Sequence, residues 1–424
     1  MKDHLIVGVD LGSSAIRLAV GQVSIGSDKR EVLSVIGAVE VPSQGISKGS
    51  VNSLEDVVSS ISASLEQIER QIGLPISEVY LSIGGVHLTI QSAKGVIGVS
   101  RPEGEIREED VHRALEAARS IVNPANQEII HILPKAFSVD GQTGIKDPVG
   151  MQGIRLEAEA HIIQGFSSHV RNITKAAFRT GLEVRELVFA PLASAEAVTT
   201  ARQRDVGTVV INVGAGTTTV AVFEDGDLLH AAIFPIGADH ITSDLAIGLR
   251  TSLELAEHIK RHFASAHADS ANRFEEIDLR ELGGDHTEIV SRRFVSDIAQ
   301  ARAEEIFEKV EKELKKIERS GMLPAGAVLT GGGVKLGGMT EIARQVLRLP
   351  VSIGVPVGIT TPLTEVVQDP AFSTAIGLIL WGYNAEREDA GVAHKNGSSY
   401  AAKGGEAFKK LSEPLKRIFK SFLP

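Results

Sequence analysis

The apolar residues of this chain fall into a few clean rhythms. Residues 5–41 read as three strands, the third over 31–41. Apolar positions at 54, 57, 58, 61, 65, 68 and 72, spaced by threes and fours, predict an amphipathic helix over Leu54–Ile72. A strand over 79–83 follows and ends in Gly84-Gly85. Residues 84–163 read as a small α+β unit: a strand pair, a charged helix over Glu108–Ile121, and strands at 128–139 and 153–163. Beyond it come a helix over 170–180 closed by Gly181, a strand over 184–189 and a helix from Leu192. Two apolar runs around Thr208–Phe223, a partner strand over 228–234 and helices over 240–249 and 253–265 continue the chain. Residues 275–285 are charged and irregular or strand-rich. The span 294–318 is a long charged helix with one apolar face, at 295, 298, 299, 306, 310, 314 and 317. A strand over 327–329 leads through glycines into a helix over Met339–Leu347.

One pattern occurs twice. Residues 6–20 read IVGVDLGSSAIRLAV, and residues 208–223 read TVVINVGAGTTTVAVF. A shift of 202 positions places Asp10 on Asn212, Gly12 on Gly214, and Ser13-Ser14 on Ala215-Gly216. Each copy predicts two strands joined by a small-residue turn, whose backbone N–H groups an anion can approach closely. The hydroxyls of Thr217 and Thr218 add donors. A lone turn of this kind reads equally well as a plain hairpin; two of one design predict two similar lobes facing a shared cleft. The helix opened by Gly237–Asp239 is expected to aim its N-terminus at a phosphate. A third turn, Thr330-Gly331-Gly332-Gly333, joins strand to helix in a form that lets a ligand come close.

The stretches DLGSSAIR, NVGAGTTT and LTGGGVKLGGM resemble the first phosphate, second phosphate and adenosine motifs of the actin/Hsp70/sugar-kinase superfamily. Within it the chain resembles the FtsA family of bacterial cell-division proteins. GISKGSVNSLEDV, PLASAEAV, GADHITSDLAIGLRTSLELAEHIK and TAIGLILWG carry that likeness in family order over nearly the whole chain. The resemblance implies an α/β, actin-like two-lobed fold made of duplicated ribonuclease-H-like domains, with an inserted α+β subdomain and a C-terminal amphipathic helix. The implied parts are a first lobe (1–83 and 164–193), the insertion (84–163), a second lobe (194–245 and 327–383), a further subdomain (246–326), a disordered linker (384–407) and a membrane-targeting helix (408–424).

It also implies ATP and Mg²⁺. The nucleotide-binding residues expected are Asp10, Gly12, Ser13, Ser14, Asn212, Gly214, Ala215, Gly216, Thr217, Thr218, Gly237, Asp239, Glu257, Lys260, Arg261, Gly331, Gly332, Gly333 and Lys335. Magnesium is expected near Asp10, through phosphates and waters. Glu257, Lys260 and Arg261, neighbours on one helix face, match a pattern that flanks adenine in Hsp70-like proteins; a surface ion pair is the plainer reading. Arg302 sits where the family has an arginine facing the C-terminal tail of FtsZ, the tubulin homologue, and the insertion corresponds to a subdomain implicated in contacts with other division proteins and in self-assembly.

Composition narrows this further. Cysteine is absent, so disulfides and thiolate sites are excluded and a reducing cytosol fits. The start Lys2-Asp3-His4 leads into a strand rather than a signal peptide, and no run reaches the ~20 apolar residues of a spanning helix. Net charge is −10, yet residues 403–424 hold six Lys/Arg against two Glu, or +4, leaving −14 on the rest. The acidic body argues against nucleic-acid binding, and the basic end argues for an acidic partner. In that end Leu415, Ile418, Phe419, Phe422 and Leu423 form one helical stripe, with Lys416, Arg417 and Lys420 opposite. So short a helix is marginal in water, and an anionic membrane surface is expected to induce it. The expected site is the cytoplasmic face of the cell membrane at the division plane.

Whether the chain is an enzyme turns on carboxylates. Asp10 is present, but Asn212 and Ala190 stand where relatives carry acids, and an amide cannot attract Mg²⁺ as a carboxylate does. The expectation is tight ATP binding with at most weak hydrolysis, in a filament-forming scaffold that tethers FtsZ. The alternatives are a pilus-assembly actin homologue and a sugar-kinase-like phosphotransferase, which needs a base that neither turn supplies.

Overall fold

The structure, a computed structural model, describes residues 4–25, 31–101, 103–122, 125–272, 274–283, 289–359 and 361–389. Two compact units divide the chain: Met1–Val86 with Asn172–Ile379, and His87–Arg171 with the chain from Leu380.

The first unit holds two five-stranded sheets of one topology. In the first, strands run in the order Glu31–Pro42, Ala15–Ile25, His4–Leu11, Glu78–Ile83, Glu183–Phe189. In the second the order is Asp227–Phe234, Thr218–Glu224, Thr208–Val213, Ala327–Thr330, Val351–Ile353. Each is an antiparallel meander of three strands extended by two parallel ones. The matching registers Asp10↔Arg17 and Asn212↔Thr219 carry the duplication seen in the sequence into the backbone.

Helices cover these sheets. Leu54–Ile72 starts at Ser53, whose hydroxyl accepts the Asp56 N–H, and stops at Gly73 in the left-handed region (φ 71°). It presses so closely on the strand Glu31–Pro42 that a Cβ on Gly37 would lie 2.6 Å from Ile72. The helix Ser373–Asp389 crosses the first sheet at Gly8, where a Cβ would fall 2.3 Å from the Ala375 carbonyl oxygen. The second sheet packs on the 25-residue helix Arg292–Lys316 and on Met339–Leu347 around Val209, Ile211, Phe307, Val310 and Ile342, all at 0 % exposure. A separate core of Ile241, Leu245, Ile259, Ile277 and Val295 joins the helices Ala238–Gly248 and Leu253–His262 to the start of the long helix.

The second unit is a four-stranded sheet, ordered Leu88–Gly98, Arg155–Phe166, Gln127–Val139, Gln142–Ile145, with the helix Glu108–Ile121 on one face. The expected strand pair before that helix is one long strand, because Leu88–Gly98 pairs in unbroken register with Arg155–Phe166. Its Gly95 admits the helix backbone: a Cβ there would meet Ala114 O at 1.9 Å.

Other boundaries also moved. The helix expected over 253–265 ends at His262, and the one over 294–318 runs from Arg292 to Lys316. Residue 384, the expected start of the linker, lies inside the helix that reaches Asp389; Arg387 bonds the Tyr383 hydroxyl at 3.1 Å and stacks over its ring. The rest of the linker (390–407) and the amphipathic segment carrying Leu415, Lys416, Arg417, Ile418, Phe419, Lys420, Phe422 and Leu423 lie outside the described residues.

Candidate functional site

The two repeated turns close with the same backbone bond. The Gly12 N–H donates to Ala15 O at 3.1 Å, and the Gly214 N–H to Thr217 O at 2.9 Å, the same bond shifted by 202 residues. The N–H groups of Ser13, Ser14, Ala215 and Gly216 donate to no acceptor among the described residues. The turns also meet. A Cβ built on Gly216 would lie 3.4 Å from Ser13 Oγ and 3.4 Å from Lys48 Cγ. Small residues thus leave a gap lined by unpaired donors from both lobes, the arrangement an anion needs.

Asp10 stands beside this gap. Its Oδ1 accepts the Ser82 hydroxyl at 2.8 Å, while Ser82 Oγ accepts the Leu11 N–H at 3.1 Å. Burial pushes the Asp10 carboxyl above its ordinary range, against the Ser82 hydrogen bond and the charge of Arg17. Arg17 pairs with Glu40 at 2.7 Å and lies over the Phe372 ring.

The second half of the cleft is packed to the limit. Gly331, at φ 89°, has Asn212 Oδ1 2.2 Å from where a Cβ would stand, and Gly333 has Val213 Cγ1 at 2.6 Å. Asn212 Nδ2 donates to Thr374 Oγ1 at 3.3 Å. Gly332 is exposed beside Ala371 and Arg17. Ala190, the first residue of the helix Ala190–Val198, sits against Gly84 and brings no carboxylate.

Several residues expected to touch a ligand also make bonds within the protein. The helix Ala238–Gly248 spends its first N–H groups on the second turn: Ala238 donates to Gly214 O and Asp239 to Ala215 O, at 2.9 and 3.0 Å. Gly237 makes this fit possible, since a Cβ would lie 2.4 Å from Ala215 O. The helix therefore braces the turn. Thr218 is fully buried and its hydroxyl donates to Ile236 O at 2.8 Å, leaving Thr217 the freer of the two. Lys260 is buried; it reaches Glu257 at 2.5 Å, Thr242 at 2.8 Å and Ala238 O at 3.3 Å. Burial opposes charge on Glu257, but hydrogen bonds from Lys260, Thr242 and Arg261 hold it below its usual range. Glu257 and Lys260 thus tie two helices together, and only Arg261 of the three is well exposed. Lys335 pairs with Asp369 at 2.6 Å. Arg302 is gripped by both oxygens of Asp244, at 2.6 and 2.8 Å, and also by Glu305. It lines a cavity of about 370 Å³ with Phe234, Ile236, His240, Lys309 and Lys312.

Ser82, Lys48 and Thr374 line this site too; Lys48 and Thr374 fall in the stretches GISKGSVNSLEDV and TAIGLILWG, which gave them no role, and Ser82 falls in neither. Each reaches it through tertiary contact with a glycine turn or with the acid or amide beside it.

Two duplicated sheets whose meander turns converge define an actin-like protein. The comparisons agree. Solved structures of similar fold include the PilM–PilN type IV pilus biogenesis complex (17 % identity, TM-score 0.63, covering 89 % of this chain and 98 % of that one). MreB5 of Spiroplasma citri bound to ADP is another (12 %, 0.54, covering 91 % and 98 %). A family model described as "Cell division protein FtsA" matches residues 209–377, and one described as "SHS2 domain inserted in FTSA" matches 85–164. The FtsA of Pseudomonas aeruginosa is 34 % identical over 413 residues, covering 97 % of each chain. The chain belongs to the FtsA family and is an actin-like cell-division protein. Among the described residues no helix is long and apolar enough to cross a membrane.

Proposed function

We propose that this chain binds ATP with Mg²⁺ between its two glycine turns, polymerises in that state on the inner face of the cytoplasmic membrane, and tethers FtsZ filaments there. One observation carries the nucleotide reading: unpaired N–H groups at Ser13, Ser14, Ala215 and Gly216 lie beside a gap that a side chain at 216 would enter. The Ser13 and Thr217 hydroxyls supplement them, and Asp10 orients the waters of the metal. Magnesium, when bound, supplies positive charge to the polyphosphate. The adenosine end lies toward Gly331–Gly333 and Arg261. Asn212 and Ala190 supply neither a base nor a metal-attracting charge, so bound ATP works as a clasp between the lobes. Hydrolysis then runs below about one turnover per minute, the regime of a nucleotide switch lacking its catalytic partner.

The acidic FtsZ tail docks at the cavity beside Arg302. Its apolar floor of Phe234 and Ile236 and its Lys309 and Lys312 rim suit an acidic peptide with apolar anchors, and Arg302 would exchange Asp244 for the tail's carboxylate. The segment 408–424 is the membrane anchor, each basic residue adding about 1 kcal/mol at an anionic leaflet. One copy binds reversibly, and many copies on a filament bind by avidity. Residues 84–163 meet neighbouring copies and other division proteins. Co-sedimentation with anionic liposomes, with and without residues 408–424 and with an FtsZ tail peptide, tests this assembly. Pelleting that survives loss of the segment would refute the membrane role.

A further inference from the structure

The cations around the cleft are almost all neutralised. Arg17 is on Glu40, Lys260 on Glu257, and Lys335 on Asp369. Lys48 differs: it has no carboxylate partner among the described residues. It stands at the tip of a two-stranded hairpin in which Ile46 pairs with Val51 and Ser47 with Ser50. Lys48 and Gly49 form the two-residue turn, with φ of 50° and 79°. Two left-handed residues in succession suit a tight hairpin, but the first place normally goes to Asn, Asp or Gly. A lysine there holds a strained conformation, and strain of this kind collects at functional sites.

The tip is also clamped. A Cβ on Gly49 would fall 2.0 Å from Gly84 O and 2.5 Å from Gly85 Cα, so the turn lies flat on the end of the strand Glu78–Ile83. The first lobe thereby fixes the lysine backbone, and its Cγ lies 3.4 Å from the Cβ position of Gly216 on the second lobe. Ser13 Oγ lies at the same distance from that position. The stem of Lys48 thus lies against the second turn, at the point where the Ser13 hydroxyl of the first turn also comes close.

We propose that Lys48 is a phosphate-binding residue, its ammonium neutralising the polyphosphate of a nucleoside triphosphate held between the turns. This rests on the nucleotide reading above and adds that the first lobe contributes a full charge where the turns contribute only dipoles. Affinity then depends on the number of phosphates more steeply than N–H donors alone dictate.

The test is calorimetric titration of the full chain with ATP, ADP and AMP in magnesium buffer. Lys48→Asn removes the charge while tolerating the left-handed turn. It is expected to weaken ATP by about 10- to 100-fold, the range of one charge-assisted contact, and AMP by less than about threefold. Lys48→Arg keeps most of the ATP affinity, and the unfolding midpoint of Lys48→Asn without nucleotide matches the parent. Equal ATP affinity in Lys48→Asn and the parent overturns the assignment, as does an equal loss for ATP and AMP. A parent chain that binds no nucleotide at all overturns the cleft reading itself, a result separable from either. Should Lys48→Asn fail to fold, Lys48→Gln carries the same comparison.

Discussion

Gly216 and Gly237 flank the second turn and do opposite jobs. Gly216 keeps space open, since a Cβ there meets its neighbours at 3.4 Å, ordinary contact. Gly237 keeps backbone close, since a Cβ there would overlap two carbonyl oxygens of the turn, at 2.4 and 2.6 Å. The two substitutions should therefore separate. Gly216→Val fills the anion gap: nucleotide-induced thermal stabilisation is lost while the midpoint without nucleotide stays near that of the parent. Gly237→Ala overpacks the turn at a cost of about 1–3 kcal/mol, so the midpoint itself falls and binding falls with it. Thermal melts with and without ATP measure both. The turns were legible at this scale because a repeated pattern survives in one dimension. Lys48, Ser82 and Thr374 were not, because their places depend on which strand ends meet in space. Lys260 and Thr218, expected at the ligand from their types, make protein contacts that the sequence does not announce. Their types suit phosphate or hydroxyl chemistry, and burial matches them to Glu257 and to the Ile236 carbonyl.

At the scale of elements, the helices Leu54–Ile72, Glu108–Ile121 and Met339–Leu347 match their sequence boundaries because apolar spacing and terminal residues agree. The last helix does not, since its polar end from 384 has no apolar rhythm and is held by Arg387 on Tyr383. Glu108–Ile121 owes its start to Asp110, 2 % exposed, which accepts from the Arg107 N–H, Arg101 and Arg113 at 3.0, 2.5 and 2.6 Å. Burial opposes its charge, yet these three donors hold the carboxyl below its usual value. A carboxyl depressed in the native state stabilises above the unfolded pKa of about 3.9, and that contribution drains away as pH falls through the native value. Asp110→Asn should lower stability by about 1–3 kcal/mol at neutral pH, with the gap to the parent closing below about pH 4. Urea unfolding of the full chain between pH 7 and 3 reads this directly. The contact between Gly377 and Ala193 sets another limit: a Cβ on Gly377 would sit 1.7 Å from Ala193 O. Gly377→Ala should push the helix Ser373–Asp389 off the helix Ala190–Val198 and cost about 3 kcal/mol or more. An unchanged unfolding midpoint would show that the two helices have slack.

For the molecule as a whole, a nucleotide held as proposed between the paired lobes would be a structural part as much as a ligand. ATP saturating at 100 times its dissociation constant would add about 2.7 kcal/mol to the folded state, and the gain should vanish in Gly216→Val. The two-lobed architecture was readable from the repeat and from three glycine motifs. The cavity beside Arg302 was not, because it forms where the strand Asp227–Phe234 and the helix Arg292–Lys316 approach, far apart in sequence.

The crowding around residue 212 also limits what this protein can become. Gly331 leaves no slack beside its amide, so a longer acid such as glutamate has nowhere to go. Aspartate differs from asparagine only in exchanging NH₂ for O, and the Thr374 hydroxyl can turn to donate instead. On the proposed reading one atom separates a clasp that keeps its triphosphate from one able to cleave it, and phosphate release by Asn212→Asp set against the parent would show how near the two lie.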